Sequence, residues 1–452
     1  MSFSRREFLR AAALSAGAAP WGWMQALAAT TVAPASDDYR ALVCIFLYGG
    51  NDGNNMLIPT DSSAYTAYAG ARGALALAST DLASLGTAAR QGGKGFALHS
   101  AFAPISPLYQ QGKLAAVANV GTLVTPMNPA EYRLKTKQRP YSLFSHSDQQ
   151  YQWQSAESAV LTATGWGGRV ADAVLAYNTQ VTVPALMSMA GSSRFNNGKQ
   201  TAPLVIPTSG TFGLRDNGSS TAAKARNSAL TQLLGLDQGN ALVEAAGNVV
   251  SHAITSSAMV NPIIQATTAT ISTAFAGVSS GIATQLKLVA KMIEARATTG
   301  LKRQVFYVAL NGFDTHSKQL DVQQTLFGQL GPAMLAFYNA TVALGVADKV
   351  TSFTMSDFSR TLKPNSTGTD HAWGNHHLVL GGAVQGGDVY GLFPTLALNG
   401  PDDADGGGRW VPTTSVDQYA ATLASWVGVS SGDMTTVLPN LGRFTSSNLG
   451  FV

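Results

Sequence analysis

The sequence predicts an α/β protein, a doubly wound and mostly parallel sheet with a helical insertion. Two observations carry that prediction. Short apolar runs rich in β-branched residues stop abruptly at Gly, Asn, Asp or Ser, as strands buried on both faces do where loops begin. Segments of helical periodicity alternate with them, and strand, loop and helix in repetition is the pattern of a parallel sheet covered by helices. The runs are Ala41–Tyr48, Leu114–Val120, Val183–Ala190, Gln304–Leu310 and Val350–Met355, and the helices include Asp148–Ala156, Val170–Tyr177 and Leu320–Leu344. In such folds functional groups collect at the carboxyl ends of the strands.

Residues from about 217 to 299 have a different texture. They are rich in Ala, Ser and Thr and poor in aromatics, with helical stretches at Ala241–Ala253 and Gly281–Ala297. Apolar periodicity persists and no Pro/Gly linker sets them apart, so they read as a helical insertion or cap within one domain, residues 29–452.

Ahead of that domain, Ser4-Arg5-Arg6-Glu7-Phe8-Leu9-Arg10 places paired arginines before an uncharged run, Ala11 to Ala29, rich in Ala and Gly. The run is too short and too weakly apolar to span a bilayer, and Ala26-Leu27-Ala28 offers a small-x-small cleavage site. Residues 1–28 therefore read as a twin-arginine signal peptide, with the translocase as partner during export and a periplasmic or secreted destination. The signal holds Arg5, Arg6, Arg10 and Glu7, so its removal lowers the formal net charge of +4 by two. A balance that small, with no basic stripe interleaved with aromatics, argues against a nucleic-acid partner. No later stretch is long and apolar enough to cross a membrane as a helix, and no stable membrane insertion is expected. Cys44 is the one cysteine, which rules out an intramolecular disulfide; inside an apolar run, it reads as a buried, inert thiol.

The polar residues that follow the strands carry the chemistry. After the first comes Gly49-Gly50-Asn51-Asp52-Gly53-Asn54-Asn55; after the fourth, Asn311-Gly312-Phe313-Asp314-Thr315-His316; after the fifth, Ser356-Asp357-Phe358-Ser359-Arg360. Soon afterwards His371, His376 and His377 place three of the seven histidines within seven residues. Asn-Asp-Gly alone is ordinarily a turn, and Asp-x-His alone is ordinarily a cap. Carboxylates and imidazoles from separate strand ends, converging on one rim, form the ligand set that zinc, manganese or iron accepts.

Between these segments lies Tyr141-Ser142-Leu143-Phe144-Ser145-His146-Ser147-Asp148-Gln149-Gln150. Ser147 with Gln150 three residues on fits a capping box. Ser145, just ahead of the helix, would face the positive end of its dipole and could lose a proton to a metal ion, while His146 would orient it or bind substrate. All three residues also fit plain loop and cap roles.

These motifs, with Gly165-Trp166-Gly167-Gly168-Arg169 and Gly368-Thr369-Asp370-His371-Ala372-Trp373-Gly374-Asn375-His376-His377, together resemble the DUF1501 family, in the right order and over nearly the whole mature chain. That family looks like a distant branch of the alkaline phosphatase and sulfatase superfamily, whose members act on phosphate or sulfate esters at a two-metal site. The resemblance implies an alkaline phosphatase-like sheet. It implies Asp314 and His316 at a first metal, joined by His371 or His376, with Asp52 and Asp357 at a second and Ser145 as the bridging nucleophile. One or two divalent ions are implied, zinc foremost, with manganese, iron or calcium as alternatives. Arg169 and Arg360 are candidates for holding the remaining anion oxygens. Two departures stand out. Phe358 follows Asp357 where the superfamily has His, so a ligand is missing or comes from Asp370 or His371; and Asp314-x-His316 is shorter than the usual Asp-x-x-x-His. Ser145 lacks the Pro and Arg of a formylglycine motif, which argues against that class of sulfatase.

The function so implied is an exported metal-dependent hydrolase acting on a small or polymer-borne anionic ester. Its rival is an inactive binding or assembly protein on the same fold, serving an exported partner or a surface polymer. A redox protein has less in its favour, for the chain has no Gly-x-Gly-x-x-Gly after its first strand and no cysteine ligands for a cluster.

Overall fold

Twelve strands order the described residues, and they are numbered in chain order. They are β1 Arg40–Tyr48, β2 Leu57–Pro59, β3 Leu82–Ala88, β4 Lys94–His99, β5 Leu114–Gly121, β6 Leu186–Ser188, β7 Leu204–Val205, β8 Arg303–Asn311, β9 Val350–Ser356, β10 Asn375–Gly381, β11 Val389–Gly391 and β12 Thr414–Ser415. The computed structural model describes residues 39–452 apart from 180, 182, 215–219 and 237–238, so the twin-arginine segment lies outside the described residues. Nine strands form one sheet in the order β11-β5-β10-β9-β1-β8-β6-β7, with β12 also on β5. Its pairings are parallel except those made by β10. A separate antiparallel sheet has the order β2-β4-β3. The fold is thus mixed α/β with a largely parallel central sheet, and each of the five expected strands is present. The run at 183–190 contributes only Leu186–Ser188, because Pro184 precedes it and Ser188 turns back on Gly191 through its hydroxyl.

The longer helices are α1 Ser62–Arg72, α2 His146–Ser155, α3 Trp166–Ala173, α4 Thr221–Leu234, α5 Ala241–Gln265, α6 Gly281–Glu294, α7 Gln319–Ala343 and α8 Val416–Val427. Every residue from Ala41 to Leu47 in β1 is fully buried. The pleat sends Val43 and Ile45 into one core with Leu286 and Val289 of α6 and Leu330 and Phe337 of α7. Leu42, Cys44 and Phe46 enter the other, with Trp153 of α2, Val170 of α3 and Leu423 of α8. Helices therefore cover both faces, and each large apolar side chain so buried contributes about 1.5–3 kcal/mol. Within 217–299, α6 packs in the layer on β8, whereas α4 and α5 leave Leu233, Leu242 and Val249 exposed. Among the described residues no helix is long and apolar enough to cross a membrane.

Parallel pairing is what positions the site. Leu47 lies opposite Leu310 of β8 on one side and Ser356 of β9 on the other, so three strands deliver their following loops to one edge. The chain leaves β1 through Gly49 and Gly50, both at positive φ. A Cβ on Gly49 would lie 2.4 Å from the Asp314 amide nitrogen, and one on Gly50 would lie 2.3 Å from the Phe358 ring. Glycine at both positions lets the three loops close on one another.

Candidate metal centre

Asp314 is the hub of the convergence. After β8 the chain turns at Gly312, buries Phe313 and presents a half-exposed Asp314 carboxylate. Its Oδ1 lies 3.1 Å from His316 Nε2, and 3.5 Å from both His146 Nε2 and His371 Nε2. Arg360 pairs with the same oxygen. That guanidinium is buried and largely committed: Nε donates to Gly50 O at 3.0 Å, Nη1 to Thr369 O at 2.8 Å and Nη2 to Gly49 O at 2.7 Å. Arg360 thus ties all three loops together and aims Asp314, where the sequence suggested an anion clamp. Burial pushes the Asp314 carboxyl up, but the hydrogen bond and charge of Arg360, with His146 and His316, outweigh it and hold the pKa below the ordinary carboxylate value.

His146 enters from the first turn of α2. Its Nδ1 lies 2.8 Å from Asp357 Oδ2, which also accepts from Gln150 Nε2 at 2.7 Å and from the Gly49 amide at 3.2 Å. Facing a carboxylate, Nδ1 must carry the proton, and in the neutral ring the Nε2 lone pair then points toward Asp314. That Nε2 is buried and has no hydrogen-bond partner. The hydrogen bond to Asp357, opposed by burial, raises the His146 pKa. His371 is fixed by the same logic: its Nδ1 lies 2.7 Å from Phe144 O and must donate to it, leaving Nε2 as acceptor 2.9 Å from His316 Nε2. Phe144 holds φ at 72° and Ser142 at 45°, a left-handed backbone that turns the Phe144 carbonyl toward the histidine. Burial, with the charges of Arg360 and its histidine neighbours, lowers the His371 pKa despite that carbonyl.

Among the described residues, ligand atoms of His146, Asp314 and His371 lie within 4.8 Å of one another. Two imidazoles whose far nitrogens are tied to a carboxylate and a carbonyl, a carboxylate between them and an orphaned Nε2 fit a divalent ion, because such outer partners fix tautomer and ring orientation. His316 stands beside the group as a fourth donor, its Nδ1 3.6 Å from Asp370 Oδ1. Phe358, where the resemblance leads one to expect His, is fully buried and packs against His371 at 4.6 Å and His146 at 4.8 Å between ring centroids. It makes an apolar floor under both ligands.

The remaining candidates sit elsewhere or stand behind the centre. Asp52 is completely buried, and its carboxylate pairs with Arg72, accepts from Gln319 Nε2 and caps the following turn through the Asn54 amide at 3.0 Å. It stands as an ion-pair and turn residue, apart from the group of His146, Asp314 and His371. Asp357 supports His146 from behind. Its Oδ1 has no partner. His376 is buried in β10, accepts from the Asn119 amide at 3.1 Å and stacks on Phe393 at 4.8 Å, so of the pair His371 or His376 only His371 reaches Asp314. Arg169 spends its guanidinium on Val437 O, Thr164 O and Ser155 O and makes no contact with the centre. Ser145, the N-cap of α2, is held by Asp148 Oδ2 at 2.6 Å and Ser147 Oγ at 3.2 Å. Sequence reasoning gave His146 no metal role. The signal for one lay in its pairing with Asp357, more than 200 residues away.

His376 and His377 also make stability depend on pH. Burial lowers both pKa values to about 3, against about 6.5 in an unfolded chain. A depressed histidine pKa means that the unfolded state binds protons first. Their contribution to stability is therefore complete above pH 6.5 and falls as pH drops toward 3. The urea midpoint is expected to decline over that window, and less steeply in His377→Gln.

The family model for a protein of unknown function, DUF1501, matches residues 39–404, and the chain belongs to that family. No curated protein matches. Solved structures similar to the chain include Ps i-CgsB in complex with k-i-k-neocarrahexaose, at 9% identity and TM-score 0.32, covering 91% of this chain and 75% of that one. The lipoteichoic acid synthase LtaP from Listeria monocytogenes follows at 8% identity and TM-score 0.36, covering 92% and 80%. A structure from a study of glycosaminoglycan metabolism in Bacteroides thetaiotaomicron, labelled as a 6S-sulf protein, matches at 11% identity and TM-score 0.36, covering 91% and 83%.

Proposed function

We propose that the chain is an exported, metal-dependent hydrolase of phosphate or sulfate esters, built on an alkaline phosphatase-like doubly wound fold and holding one divalent ion, with zinc foremost. The observation that carries the reading is the buried, unpartnered Nε2 of His146, aimed at Asp314 with Asp357 behind it. His146, Asp314 and His371 would hold the ion, with His316 as the fourth donor. Once bound, such an ion supplies Lewis-acid stabilisation of the ester oxygens.

The chain's own residues do the rest. Asp357 and the Phe144 carbonyl hold His146 and His371, respectively, in the same Nδ1-protonated tautomer, with each Nε2 left as an acceptor. Arg360 offsets part of the negative charge of Asp314 and holds it in place. Phe358 keeps water from beneath the rings. Ser145 is the nucleophile this reading favours: its Oγ would bond to phosphorus or sulfur as the bond from that atom to the ester oxygen breaks, and Asp148, 2.6 Å away, would take the serine proton and return it to the departing alcohol. Water then releases the anion and restores the serine.

The second reading, an inactive binding protein, draws on Phe358 in a ligand's place. A panel of aryl phosphate, phosphodiester and aryl sulfate separates the two. Turnover of at least one ester, lost with a chelator and restored by a divalent ion, is expected; turnover of none supports the binding protein. Full activity in Ser145→Ala would remove Ser145 as nucleophile.

A further inference from the structure

Beside the centre runs an open groove of about 340 Å³ that the chemistry above does not use. It begins next to His146, at Ser147 and Gln150, and is lined further by Tyr48, Gln154, Arg194 and Asn197. Its volume falls within the ~300–1,000 Å³ usual for small-ligand sites, but its lining is polar where such sites are mostly apolar. No carboxylate lines it, and Arg194 is its one cation.

These side chains are set in advance. Gln150 donates to Asp357, which fixes the groove's near end to the centre itself. Gln154, buried, accepts from the Phe195 amide at 3.1 Å and donates to the Tyr48 hydroxyl at 3.3 Å. That hydroxyl also meets Tyr307 at 2.7 Å. Arg194 stacks on the Tyr151 ring at 4.9 Å and gives one N–H to Ala163 O, which leaves the other donors of its fork for the groove. Amides and hydroxyls both donate and accept, and so do the hydroxyls of a saccharide. An apolar occupant would instead strip water from these groups without replacing its hydrogen bonds, at a cost to affinity.

We propose that this groove binds the saccharide part of a substrate whose anionic ester lies at the His146–Asp314–His371 centre. The location of the ester rests on the hydrolase reading; the occupancy of the groove does not. A ligand spanning both would place a sugar ring on the Tyr48–Gln154 floor with Arg194 at its far end, where a second anionic substituent would be tolerated.

Calorimetric titration of metal-free full-length protein with neutral disaccharides (cellobiose, chitobiose, maltose, lactose) and their monosulfates tests the groove without requiring turnover. At least one saccharide is expected to bind, with affinity at least about tenfold weaker in both Arg194→Gln and Asn197→Ala, each checked for native circular dichroism. Binding of none, or equal binding by wild type and both variants, would overturn the proposal. Saccharide binding by a chain that takes up no divalent ion would sustain the groove and refute the hydrolase; hydrolysis of aryl esters without any saccharide binding would do the reverse.

Discussion

Asp314→Ala is expected to lose divalent-ion binding and to lower kcat/KM for the best ester by roughly a thousandfold. The magnitude follows from charge stabilisation: a Lewis acid is worth several kcal/mol at the transition state, and about 4 kcal/mol is a factor of a thousand. The alanine removes the one carboxylate that faces His146, His316 and His371 together. It also leaves the buried Arg360 without its acidic partner, so an accompanying loss of stability is expected and Asp314→Asn is the cleaner companion. Asp357→Asn is a graded control. An amide can offer its own NH₂ to His146 Nδ1 and so favour the wrong tautomer, and loss of such an outer partner typically costs 10–100-fold. Steady-state kinetics with paired metal analysis reads all three. If Asp314→Ala kept both ion and activity, the centre would lie elsewhere.

Breaking the Asp52–Arg72 pair should have the largest effect on stability. Both side chains are fully buried, and Arg72 also donates to Asn55 Oδ1 at 3.0 Å and Thr361 O at 2.9 Å. Arg72→Met removes those bonds and strands a carboxylate away from water, which costs about 3–5 kcal/mol. In the double variant Arg72→Met, Asp52→Asn no charge is left uncompensated, so most of the loss should be recovered. Urea denaturation of the single and double variants measures this. Asp52→Asn alone should keep the bound ion, since Asp52 touches Arg72, Gln319 and Asn54 and none of the histidines. Loss of ion from that variant would return Asp52 to the centre.

The same residues mark how far the sequence could be read. β1, β8 and β9 were legible because a strand buried on both faces is a continuous apolar run, and their order implied that the following loops share an edge. Asp314, His316, Asp357 and His371 follow from that edge. β10 was hidden because it opens with Asn375-His376-His377, polar residues that are buried in the fold and look like a loop in a string. The same disguise made His376 a ligand candidate. Asp52 and Arg360 share one difficulty: charged residues after strands suggest function, yet only long-range partners, Arg72 for the one and Asp314 for the other, show where the charge is spent. Arg72, twenty residues from Asp52 on α1, carried no mark of that pairing. Nor did Gln150, whose bond to Asp357 joins the groove to the centre.

The central claim is one ion per chain at His146, Asp314 and His371. Equilibrium dialysis of metal-stripped protein against zinc, read by elemental analysis in wild type, Asp314→Ala and Asp52→Asn, tests it most directly. One zinc in wild type and in Asp52→Asn, with none in Asp314→Ala, is the expected result. No zinc in wild type, or two zincs of which one is lost in Asp52→Asn, would contradict it.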